Sequence, residues 1–274
     1  TAEAVATAME PPLAALAILC PNAWLQGNES DDHHQDYSIC FLPNDHSVLP
    51  RGRLSAADRA LARSNNADEV FLGLRVAALR CAFESVGVMI AANPPPDFAR
   101  RELQKILQRE GPMAFHAFLD DWGIRLRPKE LIEISWFLAP REEHIFLATI
   151  PDATEASWAQ GFWAPPGRLL ELYQKQELDL TWAEWYLLHE LCHELPCFHG
   201  LPDLHVAKSG RSCLWSGQAL HLVPHSPTSL LLPGDEDHPQ CPGKRGQRHR
   251  LHLKENSQVQ CLERNEGIEQ TSRL

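Results

Sequence analysis

Residues 71–91, "FLGLRVAALRCAFESVGVMIA", constrain the fold more than any other stretch. Apolar residues recur at helical steps as far as Gly87, which predicts a long helix stopped by glycine. Leu74, Val76, Leu79, Phe83 and Val86 are its expected core-facing residues. A short apolar, strand-like exit follows, and "NPPP" at 93–96 then breaks the chain.

The segments around this helix predict strands on both sides of it. "LAALAILC" and "DYSICFLPN" read as short strands separated by the polar tract "NESDDHHQD". "HSVLPRGRLSAADRALARSNNADE" reads as a turn and then a polar helical insertion. "DFARRELQKILQREG" is an amphipathic helix with Asp97 as the expected N-cap. "LIEISWFLA" and "HIFLATI" pair around the turn "PREE". Helices are expected at 166–177 and 181–195, and a final hairpin at 219–237. No internal repeat is present. This order predicts an α+β domain with a mixed sheet, not a bundle or a doubly wound fold. The expected organisation is an N-terminal extension (1–10), one domain (11–237) and a polar tail without core periodicity (238–274).

Composition narrows the functions. The net charge of −11 argues against nucleic acid and anionic membranes as partners. No apolar run approaches the ~20 residues of a membrane span. The eight cysteines include no C-x-x-C pair, so they are expected to be mostly reduced, buried thiols of an intracellular compartment.

"HELCHELPCFH" at 189–199 has the H-E-x-x-H spacing of zinc hydrolases. Thr181 and Glu184 form a capping box, so the helix they start carries His189 and His193 one turn apart. Two such imidazoles can share a zinc with Glu190 as general base, and His199 stands at the place of a third ligand. Against this, Pro196 occupies the position where the extended motif needs a glycine, and no methionine follows Met113. Trp182, Trp185 and Tyr186 on the same helix offer the histidines an aromatic stripe to pack on. The packing reading is preferred over the zinc peptidase.

"ALRCAFESVGVMI" at 78–90 resembles the core of the Nudix box, G-x5-E-x7-R-E-U-x-E-E-x-G-U with U apolar. Arg80, Phe83, Glu84, Gly87 and Val88 match the pattern, and "VLPRGRLSAAD" resembles its entry with Gly52 as the first glycine. The blocks "FHAFLDDWGIRLRP", "FWAPPGRLLELY" and "LHLVPHSPTSLLLPGDE" are similar to the acyl-CoA diphosphatase-like branch, in that branch's order. That branch tolerates an insertion within the box, here at about 53–72. The resemblance implies an α/β/α sandwich with a mixed sheet and additional C-terminal helices. It also implies carboxylates that hold Mg²⁺ or Mn²⁺ on a diphosphate.

This chain departs from the pattern where the metal should sit. Its three carboxylate positions are Cys81, Glu84 and Ser85, so Glu84 alone remains as a weak Mg²⁺ ligand, with Glu69 or Asp68 as possible helpers. Arg51 replaces the first glycine of the usual Gly-Gly turn and is expected to crowd the phosphate loop. The preferred expectation is a degenerate box without cofactor, in a non-catalytic accessory subunit of a larger, mitochondrial assembly. The N-terminal extension and the tail would contact the other subunits. A start at Thr1 fits a removed presequence or a truncation. The alternative is an active Mg²⁺-dependent CoA diphosphatase in the peroxisome, reached through Ser272-Arg273-Leu274.

Overall fold

The structure, a computed structural model, describes residues 11–25, 35–42, 48–64, 69–138, 142–150, 152–195, 197–198, 219–255 and 258–265. Strand β1 (Leu13–Pro21) is the backbone of the main sheet. It pairs antiparallel with β2 (Tyr37–Phe41) and β3 (Arg51–Arg53), and parallel with β5 (Glu143–Thr149). β4 (Ile132–Phe137), β6 (Phe162–Ala164) and β7 (Ala219–Leu220) complete a mixed sheet of order β6-β2-β1-β5-β4-β7.

Both faces of β1 are buried, which explains its unbroken apolar run. Ala15, Ala17 and Leu19 face one core, while Ala14, Leu16, Ile18 and Cys20 face the other. On the second face lies α2 (Glu69–Val86), whose residues Leu74, Val76, Leu79, Phe83 and Val86 are all buried, as expected. Ala77, Ala78, Cys81 and Ala82 are buried as well, so this helix is enclosed almost all round. α1 (Ala56–Ser64), α3 (Asp97–Glu110) and α4 (Pro112–Asp121) pack around it. On the first face lie α6 (Pro166–Gln174) and α7 (Trp182–Glu194), after the short α5 (Ala153–Trp158). The result is an α/β/α sandwich. Among the described residues, no helix is long and apolar enough to cross a membrane.

Three local expectations need correction. Asp97 is the first helical residue of α3, and Pro96 holds the N-cap without a side-chain hydrogen bond. The apolar exit after α2 is not a strand, because only Ala91 forms a bridge, with Leu126. The cysteines are not uniformly buried: Cys20, Cys40 and Cys81 are, whereas Cys197, Cys241 and Cys261 are exposed.

The largest correction concerns the tail. Residues Arg248–Leu253 form β10 and Val259–Asn265 form β11, adding two strands to the hairpin of β8 (Val223–Ser226) and β9 (Ser229–Leu231). β10 alternates polar and apolar residues, placing Leu251 and Leu253 in the α7 core together with Val259. Helical periodicity misses this because the signal has period two and its polar positions are charged.

A polar chain fastens this second sheet to α7. Arg264 reaches buried Glu190 at 2.6 Å and donates to the Tyr186 hydroxyl at 3.2 Å. That hydroxyl lies 3.3 Å from Nε2 of buried His249, whose Nδ1 is 2.8 Å from the Pro233 carbonyl. Burial pushes the His249 pKa down to about 4, so its neutral ring donates from Nδ1 and accepts at Nε2.

A chain truncated after Asp237 loses Leu251, Leu253 and Val259 from the core, at about 1.5–3 kcal/mol each. Its melting temperature is expected to fall by more than about 10 °C. An unchanged thermal transition in calorimetry would show that the second sheet is not part of the cooperative core.

Candidate functional site

The site is built by α2, which presents Arg80 and Glu84 one turn apart. Gly87, at φ 77°, ends the helix and donates its N–H to the Phe83 carbonyl at 3.0 Å. That left-handed backbone is the reason for glycine there.

Arg80 is 3% exposed and every side-chain nitrogen has an acceptor. Nε and Nη2 donate to the two oxygens of Asp58 at 3.1 and 3.0 Å. Nη1 donates to both oxygens of Glu84 at 3.0 Å, and Nη2 also meets the Arg53 carbonyl at 3.1 Å. Asp58 is fully buried and lies in the first turn of α1, where it accepts from the Ser55 N–H and hydroxyl. His116 on α4 brings Nε2 to 3.0 Å from Asp58 Oδ1. Burial works to raise the Asp58 carboxyl, but hydrogen bonds from His116, Arg80 and Ser55 and the Arg80 charge outweigh it and hold the pKa at about 2.

The other expected positions divide between packing and solvent. Cys81 is 2% exposed, and burial pushes its thiol up to about 12, so it stays protonated. A Cβ on Gly52 would stand 2.1 Å from Cys81 Sγ, so glycine is needed to let β3 approach α2. Ser85 is half-buried. Asp68 lies outside the described residues, as does the side chain of Glu69. Glu84 is the acid that reaches solvent. With Arg80, Gln104, Leu107, Gly111 and Pro112 it lines a cleft of about 330 Å³.

Arg51 does not crowd a phosphate loop. Its side chain turns to the opposite face of the sheet, 2.8 Å from buried Glu184 and 3.5 Å from Glu143. Glu184 closes the expected capping box with Thr181 and also accepts from the Leu49 N–H at 3.0 Å.

Sequence reasoning overlooks Asp58. It stands five intervening residues beyond Gly52, the spacing of the first acid in the box pattern, so the signal lies in the pattern itself. Because 21 residues rather than seven separate it from Arg80, the two look unrelated along the chain.

The histidine motif lies elsewhere, on α7. His189 stacks on Trp185 at 5.0 Å and 22°, as the packing reading expects, and its ring centroid is 4.4 Å from that of His193. Tyr186 faces away from them, toward His249. Glu190 is fully buried and committed to Arg264, so it is not placed to activate a metal-bound water. His199 lies outside the described residues. Among the described residues, no three His, Cys, Asp or Glu side chains converge as a metal group.

The layers, the mixed sheet and the central enclosed helix together define a Nudix-like α/β/α fold. A solved structure with this architecture is the NUDIX hydrolase from Alicyclobacillus acidocaldarius. The chain is similar to it at TM-score 0.52 and 18% identity, over 75% of this chain and 97% of that one. No family model matches the sequence. No curated protein matches it either.

Because the Asp58 carboxyl is depressed from 3.8 to about 2, its stabilisation is complete above pH 4 and lost as pH falls toward 2. That loss amounts to about 2 kcal/mol. Asp58→Asn is expected to cost about 3–5 kcal/mol at neutral pH by leaving Arg80 short of its partner. It should also flatten the stability profile between pH 4 and 2, where Asp235 and Asp237, both depressed by their arginine partners, still contribute. Urea titrations across that range check both effects.

Proposed function

We propose that this chain is a non-catalytic Nudix-fold protein whose box serves as a structural brace, acting as an accessory subunit of a larger assembly. The carrying observation is the state of the three expected carboxylate positions. Cys81 is a buried protonated thiol, Ser85 brings no charge, and Glu84 is engaged by Arg80 through both oxygens. Mg²⁺ is a hard ion that takes oxygen ligands, usually carboxylates, and gives up its water reluctantly. This donor set does not fit it.

The accessory role has separate support in exposed large apolar groups on α3 and α4. Phe98 is 65% exposed and Met113 67%, and Trp122, just past α4, is 44% exposed against Phe98. Such surface is characteristic of contact with other proteins. The tail gives weaker support than the sequence suggested, because residues 248–265 already bury their apolar side chains within the chain. An active CoA diphosphatase is the second reading, favoured by one feature: Glu84 still faces the open cleft.

Purified chain incubated with coenzyme A and Mg²⁺ or Mn²⁺ is expected to release no phosphopantetheine above background. Calorimetric titration with Mg²⁺ should show no heat that Glu84→Gln removes. Metal-dependent release abolished by Glu84→Gln would establish the second reading. A chain recovered from its native source as an unassociated monomer would remove the accessory role.

A further inference from the structure

The motif left without a task is the histidine pair on α7. The capping box at Thr181 and Glu184 fixes the start of that helix and so the direction in which both rings leave it. Their centroids are 4.4 Å apart at an interplanar angle of 64°. Among the described residues, the only polar contact of either ring is His189 Nδ1 with Glu190 Oε1, at a long 3.4 Å. Among the described residues, His189 Nε2 and both nitrogens of His193 make no hydrogen bond, although His189 is only partly exposed.

We infer that His189 and His193 form a two-imidazole clamp for a divalent transition metal of the copper, nickel and zinc class. Imidazoles at i and i+4 on one helical face are neighbours, and rotation about χ2 can turn one nitrogen of each toward a shared ion. Metal–nitrogen distances of about 2.0–2.1 Å would then bridge the gap. Imidazole suits these borderline ions and leaves Mg²⁺ and Ca²⁺ aside. Among the described residues two protein ligands are at hand, and water would complete the coordination. The clamp does not make a peptidase, because the buried Glu190 carboxylate is already engaged by Arg264. Its effect is on the fold: an ion that binds only the helical form stabilises α7 by mass action. The inference is independent of the accessory role, since it uses no residue of the box.

The test is calorimetric titration of the full chain with Cu²⁺, Zn²⁺ and Mg²⁺, beside His189→Gln, His193→Gln and the double variant. Glutamine favours helix, and far-UV circular dichroism reports whether α7 survives. One site is expected in the wild type, tighter for Cu²⁺ than for Zn²⁺ and absent for Mg²⁺. Each single variant should weaken it at least tenfold. Because Trp185 stacks on His189, Cu²⁺ should also quench part of the tryptophan fluorescence, and Trp185→Phe should remove that part while binding persists. Identical Cu²⁺ and Zn²⁺ titrations in the wild type and the double variant would overturn the clamp. If the double variant is poorly folded, His193→Gln at its exposed position carries the same comparison, and unchanged binding there overturns it equally.

Discussion

A single buried guanidinium organises one half of this molecule. Arg80 joins Asp58 on α1, Glu84 on its own helix and the Arg53 carbonyl on β3, so three elements share one cation. A charge buried at 3% exposure is costly unless every donor is used. Here each is used, and Asp58 is in turn satisfied by Ser55 and His116. The geometry of α1, β3 and α4 around the central helix therefore follows from the need to keep this ion pair complete.

The short strand β3 carries the same logic through the sheet. Its three residues alternate in direction, as pleating requires. Gly52 lets the strand close onto Cys81, while Arg51 leaves the other face to meet Glu184 at the start of α7. One acid, Glu184, thus caps a helix, accepts from the Leu49 backbone and neutralises an arginine. The two helical layers are tied to the same three residues from opposite sides. This explains why the arginine substituted for a turn glycine is accommodated: it points into the other layer, away from the cleft.

The sequence makes the central helix legible because its apolar residues and terminal glycine obey one local rule. The strands β1, β2, β4 and β5 are equally plain, being short apolar runs bounded by turns. The Thr181–Glu184 cap is read from spacing alone and is found as expected. What stays hidden depends on contacts distant along the chain. Asp58 and Arg80 are 22 positions apart and meet only because the inserted α1 folds back. β10 and β11 escape notice because their polar residues pair with Asp235, Asp237 and Glu190, acids that lie elsewhere in the sequence. The role of Glu190 is similarly invisible: beside His189 it resembles a catalytic base, yet its partner Arg264 is 74 residues away.

Charge balance links the two readings of the box. With Cys81 and Ser85 in place, Arg80 faces two carboxylates, Asp58 and Glu84. Carboxylates at positions 81 and 85 would leave the same guanidinium facing four acids within one or two helical turns. Like charges held that close raise one another's pKa or recruit a counter-ion. A divalent metal is what a cluster of that kind would require for its own electrostatics, as well as for any chemistry. The thiol and hydroxyl relieve that demand, and the buried thiol adds packing against Gly52. Two side chains, at positions 81 and 85, therefore set how strongly this face of the helix would call for a divalent ion.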